Sequence, residues 1–134
     1  MTDQQLLTLA GEARTHAYTP YSRFAVGAAL LCQDGTVYTG CNIENAAFTP
    51  TVCAERTAIF RALLEGERAF AKIAISGGKA GERVQASFPP CGVCRQVLAE
   101  FCSGDFEIIL AGDTVKKYTL SELLPASFTK DNMD

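Results

Sequence analysis

Apolar residues recur at helical spacing near the start of the chain, at Leu6, Leu9, Ala10, Ala13 and Ala17. Thr2 precedes that run and Gln5 follows it by three, so a hydroxyl and an amide can close a reciprocal capping box at the first turn. Pro20 is expected to end this helix. The period then changes. Phe24 to Cys32 is almost continuously apolar, the pattern of a strand buried on both faces. Gln33-Asp34-Gly35 supplies a turn with glycine free for positive φ, and Thr36 to Ile43 is the returning strand of a hairpin.

Glu44 to Pro50 reads as a loop, after which Thr51 is placed to cap a second helix running to about Gly66. Ala58, Ile59, Ala62 and Leu63 form its buried stripe, and Gly66 suits its C-terminal cap. Phe70 to Ser76 is a third strand. Gly77 to Pro90, rich in glycine and polar residues, reads as a surface loop long enough to shape the rim of a site. Cys91 then opens a helix through Val97, Leu98 and Phe101 to about Ser103. A strand from Phe106 to Ala111 follows, with a weaker one from Val115 to Thr119. Ser121 is expected to cap a short last helix holding Leu123 and Leu124, stopped by Pro125.

This order predicts one domain over residues 1–134, a three-layer α/β/α sandwich around a mixed five-stranded sheet. The hairpin pairs antiparallel and the later β-α-β crossing pairs parallel. Two helices then start at the same sheet edge, outside the carboxyl ends of strands, where α/β folds carry their sites.

Composition narrows the chemistry. Of 134 residues, 48% are hydrophobic and 20% charged, enough for a single real core and unlike a disordered chain. With net charge −3 and no basic run, a polynucleotide partner is disfavoured, although a single nucleoside is not. The first residues, MTDQQLLTLAGEAR, do not resemble a signal peptide, and no stretch approaches a membrane span. The expectation is a cytoplasmic protein whose six cysteines stay reduced and serve metal binding or catalysis. Cys32 and Cys102 lie in apolar patterns and read as inert core thiols, and Cys41 on the second strand reads the same way. His16, the single histidine, has no second ligand near it in sequence and reads as a surface residue.

The remaining thiols stand apart. Cys53-Ala54-Glu55 and Pro90-Cys91-Gly92-Val93-Cys94 each read as the first turn of a helix, where free N–H groups and the positive dipole end favour thiolate. If the two starts converge, three sulfurs hold one zinc ion and leave its fourth position for water. Glu55 would reach that water without ligating the metal, as a general acid–base. Three thiolates outweigh the charge of one dication, so positive compensation is expected from Arg56, with Arg95 a second candidate. Two other readings remain open. Cys-Gly-Val-Cys opening a helix also suits thiol–disulfide exchange, and Cys41 or Cys102 could complete a structural four-cysteine zinc site.

The Cys-x-Glu and Pro-Cys-x-x-Cys blocks resemble the signature of the zinc nucleoside and nucleobase deaminases. Tyr21-Ser22-Arg23-Phe24-Ala25-Val26-Gly27, Gly40-Cys41-Asn42-Ile43-Glu44-Asn45-Ala46 and Leu123-Leu124-Pro125 extend the resemblance, in order, to the cytidine deaminase family. With cysteine first and a short chain, the likeness is to its small homotetrameric form. The resemblance implies zinc on Cys53, Cys91 and Cys94, one ion per subunit, with Glu55 as proton shuttle and Arg56 offsetting thiolate charge. It implies ribose contacts from Asn42 and Glu44, packing of Phe24 on the pyrimidine, and base contacts from the Ala54 backbone. Ala46, Phe48 and Phe128 would reach the pockets of neighbouring subunits; many relatives carry tyrosine where Phe48 stands. The implied activity is hydrolysis of cytidine and deoxycytidine to uridine and deoxyuridine plus ammonia, in pyrimidine salvage. The Asn42-Ile43-Glu44-Asn45 block, which resembles the family's ribose-binding signature, favours it over a blasticidin-type deaminase.

Overall fold

A computed structural model describes the whole chain, Met1–Asp134. The first helix, α1, spans Asp3–Arg14 behind the expected capping box. Gln5 N–H donates to Thr2 Oγ1 at 3.1 Å, and Thr2 N–H donates to Gln5 Oε1 at 2.8 Å. The helix ends well before Pro20, because the next segment is drawn to another partner. Tyr18 N–H donates to the Asn42 carbonyl, and Glu44 N–H donates back to the Tyr18 carbonyl. Those bonds pull residues 15–20 out of helical register.

Strand β1 (Phe24–Cys32) lies between β2 (Val37–Cys41) and β3 (Phe70–Lys79), antiparallel to both. β3 pairs in parallel with β4 (Glu107–Leu110), and β4 pairs antiparallel with the edge strand β5 (Lys116–Thr119). The sheet is therefore mixed and five-stranded, in the order β2-β1-β3-β4-β5. Two expectations about its strands change. β2 stops at Cys41, and Ile43 makes only isolated bridges to Tyr18 and Val52. β3 runs past Ser76 through Gly77, Gly78 and Lys79, which pair with Val26, Ala25 and Phe24. The front of β1 needs hydrogen-bond partners, and those residues supply them.

α1 covers one face of the sheet, with Leu6, Leu7 and Ala10 against Ala29, Ala74 and Ile109. The larger core lies on the other face, where Ala58, Ile59 and Ala62 of α2 (Ala54–Leu64) and Leu98 of α3 (Gly92–Phe101) meet Leu30, Ile73 and Ile108. This completes the three layers. Helix α4 (Leu120–Leu123) is capped by Thr119 and not by Ser121, since Glu122 closes a capping box on Thr119. The chain finishes in a 3₁₀ turn, Lys130–Met133. No helix is long and apolar enough to cross a membrane.

Because β2 and β3 are both antiparallel to β1, they point the same way. The helices that follow them, α2 and α3, begin at one edge of the sheet. α2 sits very close to β2. A Cβ at Gly40 would collide with the Thr57 hydroxyl and the Ala58 amide, while Thr57 Oγ1 donates to the Cys41 carbonyl at 2.9 Å. Glycine is needed there for backbone approach, and that approach fixes where α2 begins.

Candidate active site

The residue at the N-cap of α2 is Cys53 and that at the N-cap of α3 is Cys91, both with extended backbone and neither capping the backbone amides of its helix with its side chain. Thr51 does not cap α2: its hydroxyl accepts the Asn45 N–H at 3.1 Å within the preceding loop. A serine or aspartate in the N-cap position would turn back onto the helix amides, whereas a thiol is a weak acceptor and stays free to face outward. Cys94, in the first turn of α3, is fully buried and joins them. Sγ of Cys53 lies 3.7 Å from that of Cys91, which lies 3.4 Å from that of Cys94. Ligands on a tetrahedral zinc with ordinary Zn–S bonds sit ~3.8 Å apart. The donor set and its spacing therefore fit zinc. Neither Cys41 nor Cys102 joins the cluster, which removes the four-cysteine alternative. Burial instead pushes the Cys32 thiol up to about 11 and Cys102 up to about 12, as expected of inert core thiols.

The groups around the sulfurs favour thiolate at Cys53. A hydrogen bond from Cys94, together with donation from Arg56, lowers the Cys53 pKa despite burial, while the same bond and burial raise that of Cys94. Arg56 Nη2 lies 3.5 Å from Cys53 Sγ, and its buried Nε–H has no partner in the chain. A positive charge thus stands beside the sulfur cluster. Arg95, the second candidate, is turned elsewhere: Nε donates to the Pro90 carbonyl at 2.8 Å and Nη1 to the Leu123 carbonyl at 2.6 Å. It ties the entry of α3 to α4. Glu55 is 4% exposed, and burial, with the nearby Cys53 charge, pushes its carboxyl up to about 7. A carboxyl in that range takes and gives a proton near neutral pH. His16 is exposed and belongs to no metal-ligand cluster.

Cys53, Ala54, Glu55 and Cys91 line a cleft of about 450 Å³. Its walls are largely apolar, with a few polar groups, the usual make-up of a small-molecule site. Phe24 and Phe88 stack on one another with ring centres 6.4 Å apart and planes 29° apart, and both line the cleft. Asn42 lines it too, braced on β1: its Oδ1 accepts the Val26 N–H at 2.9 Å and its Nδ2 donates to the Phe24 carbonyl at 2.8 Å. Glu44 does not line the cleft. Its carboxylate accepts from the Tyr21 and Ser22 amides at 3.0 and 3.1 Å and from the Ser22 hydroxyl. Burial opposes its charge, but those bonds outweigh burial and lower its pKa.

Three residues singled out in the sequence stand away from this cleft. Ala46 and Phe48 lie on an exposed loop, with Phe48 at φ +63° and its ring edge-on to Tyr21. Phe128 is 62% exposed, held near α3 by Gln96 Nε2, which donates to its carbonyl at 2.8 Å. Conversely, Phe88 lines the cleft although it falls in the segment whose composition predicts a surface loop. The available signal was one large apolar ring, two residues before Pro90-Cys91, in an otherwise polar segment.

Residues 1–110 match the family described as the cytidine and deoxycytidylate deaminase zinc-binding region. The chain is 46% identical to the cytidine deaminase of Sporosarcina psychrophila, over 99% of this chain and 96% of that one. It is 48% identical to that of Halalkalibacterium halodurans, over 100% of this chain and 99% of that one. The crystal structure of cytidine deaminase from Burkholderia pseudomallei, at 44% identity, superposes with a TM-score of 0.87 over 96% of this chain and 100% of that one.

Proposed function

The chain belongs to the cytidine and deoxycytidylate deaminase zinc-binding family, and from that premise we propose that it hydrolyses cytidine and deoxycytidine to uridine and deoxyuridine plus ammonia. The observation that carries the reading is the meeting of three sulfurs and one buried carboxyl at a single apolar cleft. Cys53, Cys91 and Cys94 would hold zinc, and Arg56 steadies their negative charge by donating to Cys53. When bound, zinc supplies a water made acidic enough to attack at neutral pH.

Glu55 is the proton carrier. It takes one proton of that water and delivers it to N3 as the water oxygen adds to C4, then takes the second proton from that oxygen and gives it to the C4 amine, so that the C4–N bond breaks, the C4 carbonyl forms, ammonia leaves and Glu55 ends deprotonated as it began. Its burial at the start of α2 favours the protonated form more than water would, which suits a group that both takes and gives a proton. The backbone at Ala54 reads the edge of the base beside N3, and Phe24 packs on the ring face. Asn42 takes a ribose hydroxyl from the cleft wall, and Glu44 takes another past Ser22, the cleft residue whose hydroxyl donates to its carboxylate. Each retains hydrogen-bonding capacity for this beyond its internal bonds, since a primary amide has two donors and two lone pairs and a carboxylate about four acceptor sites. No lysine or arginine lines the cleft, which favours a nucleoside over its 5′-phosphate.

The assembly is a homotetramer. Ala46, Phe48 and Phe128, exposed in the single chain, complete the clefts of neighbouring subunits. The chain acts as one domain in the reducing cytoplasm, where its thiols stay available to the metal, and serves pyrimidine salvage. The test is direct: purified protein is incubated with cytidine, deoxycytidine and their monophosphates while the pyrimidine absorbance is followed. Turnover of the two nucleosides but not the monophosphates is expected. No turnover of cytidine would overturn the proposal.

A further inference from the structure

We propose that Phe88 is the specificity-determining residue for the C5 position of the pyrimidine, setting the size of substituent the cleft admits there. This rests on the deaminase reading above and adds to it. In a cytosine ring C4 lies between N3 and C5. If C4 faces the three sulfurs and N3 faces Glu55 and Ala54 at the start of α2, the C5 edge must face the opposite flank. That flank is the entry to α3, where Phe88 and Pro89 lead into Cys91 and line the same cleft.

Phe88 is held rather than draped there. Its ring is half-buried, packs against the main core, and stacks on Phe24. Gly77 gives it room on β3: a Cβ at that position would lie 2.7 Å from Phe88 Cγ and 2.8 Å from Cδ1. The segment carrying it is fastened on both sides. Arg14 donates to the carbonyls of Ala25, Lys79 and Glu82, and Asp113 N–H donates to the Gln85 carbonyl at 2.7 Å. An aromatic side chain offers no hydrogen bond with which to recognise a 5-substituent. The wall therefore discriminates by shape alone, an effect of the size that one or two heavy atoms against an apolar pocket produce.

The test compares kcat/KM for 5-bromocytidine with that for cytidine in zinc-loaded wild type, Phe88→Ala, Phe88→Leu and Gly77→Ala. Taking the ratio within each variant cancels any general loss of activity, and the electronic effect of bromine is common to all. Phe88→Ala raises the ratio at least about tenfold and Phe88→Leu raises it less. Gly77→Ala lowers it, because the added methyl pushes the Phe88 ring off the strand and into the cleft. Calorimetric binding of uridine and 5-bromouridine, with no turnover, moves in the same order. A ratio within about twofold of wild type in all three variants would overturn the proposal. Should Phe88→Ala fail to fold, Phe88→Leu and Gly77→Ala still decide it by their opposite signs. Wild type inactive on cytidine would refute the deaminase reading instead, so the two failures are told apart.

Discussion

Replacing Glu55 with glutamine separates what this residue does for chemistry from what it costs the fold. Glu55 is 4% exposed, and in the metal-free chain burial first, then the charge on Cys53, raises its carboxyl from 4.5 to about 7. The folded chain thus binds this proton more tightly than the unfolded chain. The advantage is fully present below pH 4.5 and is lost as pH rises to about 7, a change of about 3 kcal/mol. Glutamine keeps the shape and cannot ionise. Metal-free Glu55→Gln should therefore lie below wild type at pH 5 by the cost of burying the extra amide hydrogens, and gain on wild type by about 3 kcal/mol as pH rises to 8. Urea unfolding of reduced, chelator-treated protein at several pH values measures this. The zinc-loaded variant should retain metal and lose deamination by about 10²–10⁴-fold. A stability difference that stays flat with pH would refute the electrostatic account, and wild-type activity would refute the catalytic one.

Arg56→Gln removes the guanidinium beside Cys53; in metal-free protein the alkylation of Cys53 should shift to higher pH, and an unchanged profile would show that Arg56 does not support the thiolate. Gly40→Ala forces a methyl into Thr57 and the α2 backbone, so a loss of about 2 kcal/mol or more in unfolding free energy is expected together with lower zinc content. Wild-type stability there would mean that α2 has room to move. Light scattering should give four times the mass of one chain, and Phe128→Ala should raise KM for cytidine; a monomer with full activity would contradict the shared-cleft assembly.

The parts of this site legible in the sequence are those that local spacing determines. Cys91 and Cys94 share a helix face by being three apart, Glu55 follows Cys53 by two, and the unbroken apolar run of β1 announces a central strand. What escaped notice depends on distant partners. Thr51 looked like a cap because its hydroxyl usually is one, yet the Asn45 amide takes it and leaves the N-cap to Cys53. Gly77 and Gly78 look like loop because glycine is rare in strands, but they continue β3 alongside Ala25 and Val26, which β2 does not reach. Phe88 was hidden for the same reason: its place depends on a missing side chain at Gly77. Arg56 and Arg95 each directly follow a motif residue; Arg56 already ranked first in the sequence, and the Leu123 carbonyl of α4, which captures Arg95, gives the physical reason.

The central claim is that three converging sulfurs and one neighbouring acid do the chemistry. Metal analysis of reduced protein purified without chelator, paired with cytidine turnover before chelation, after it, and after zinc is returned, tests this most directly. One zinc per chain is expected, with activity that disappears on chelation and returns with zinc. Protein shown to be free of metal that still converts cytidine to uridine would contradict the account.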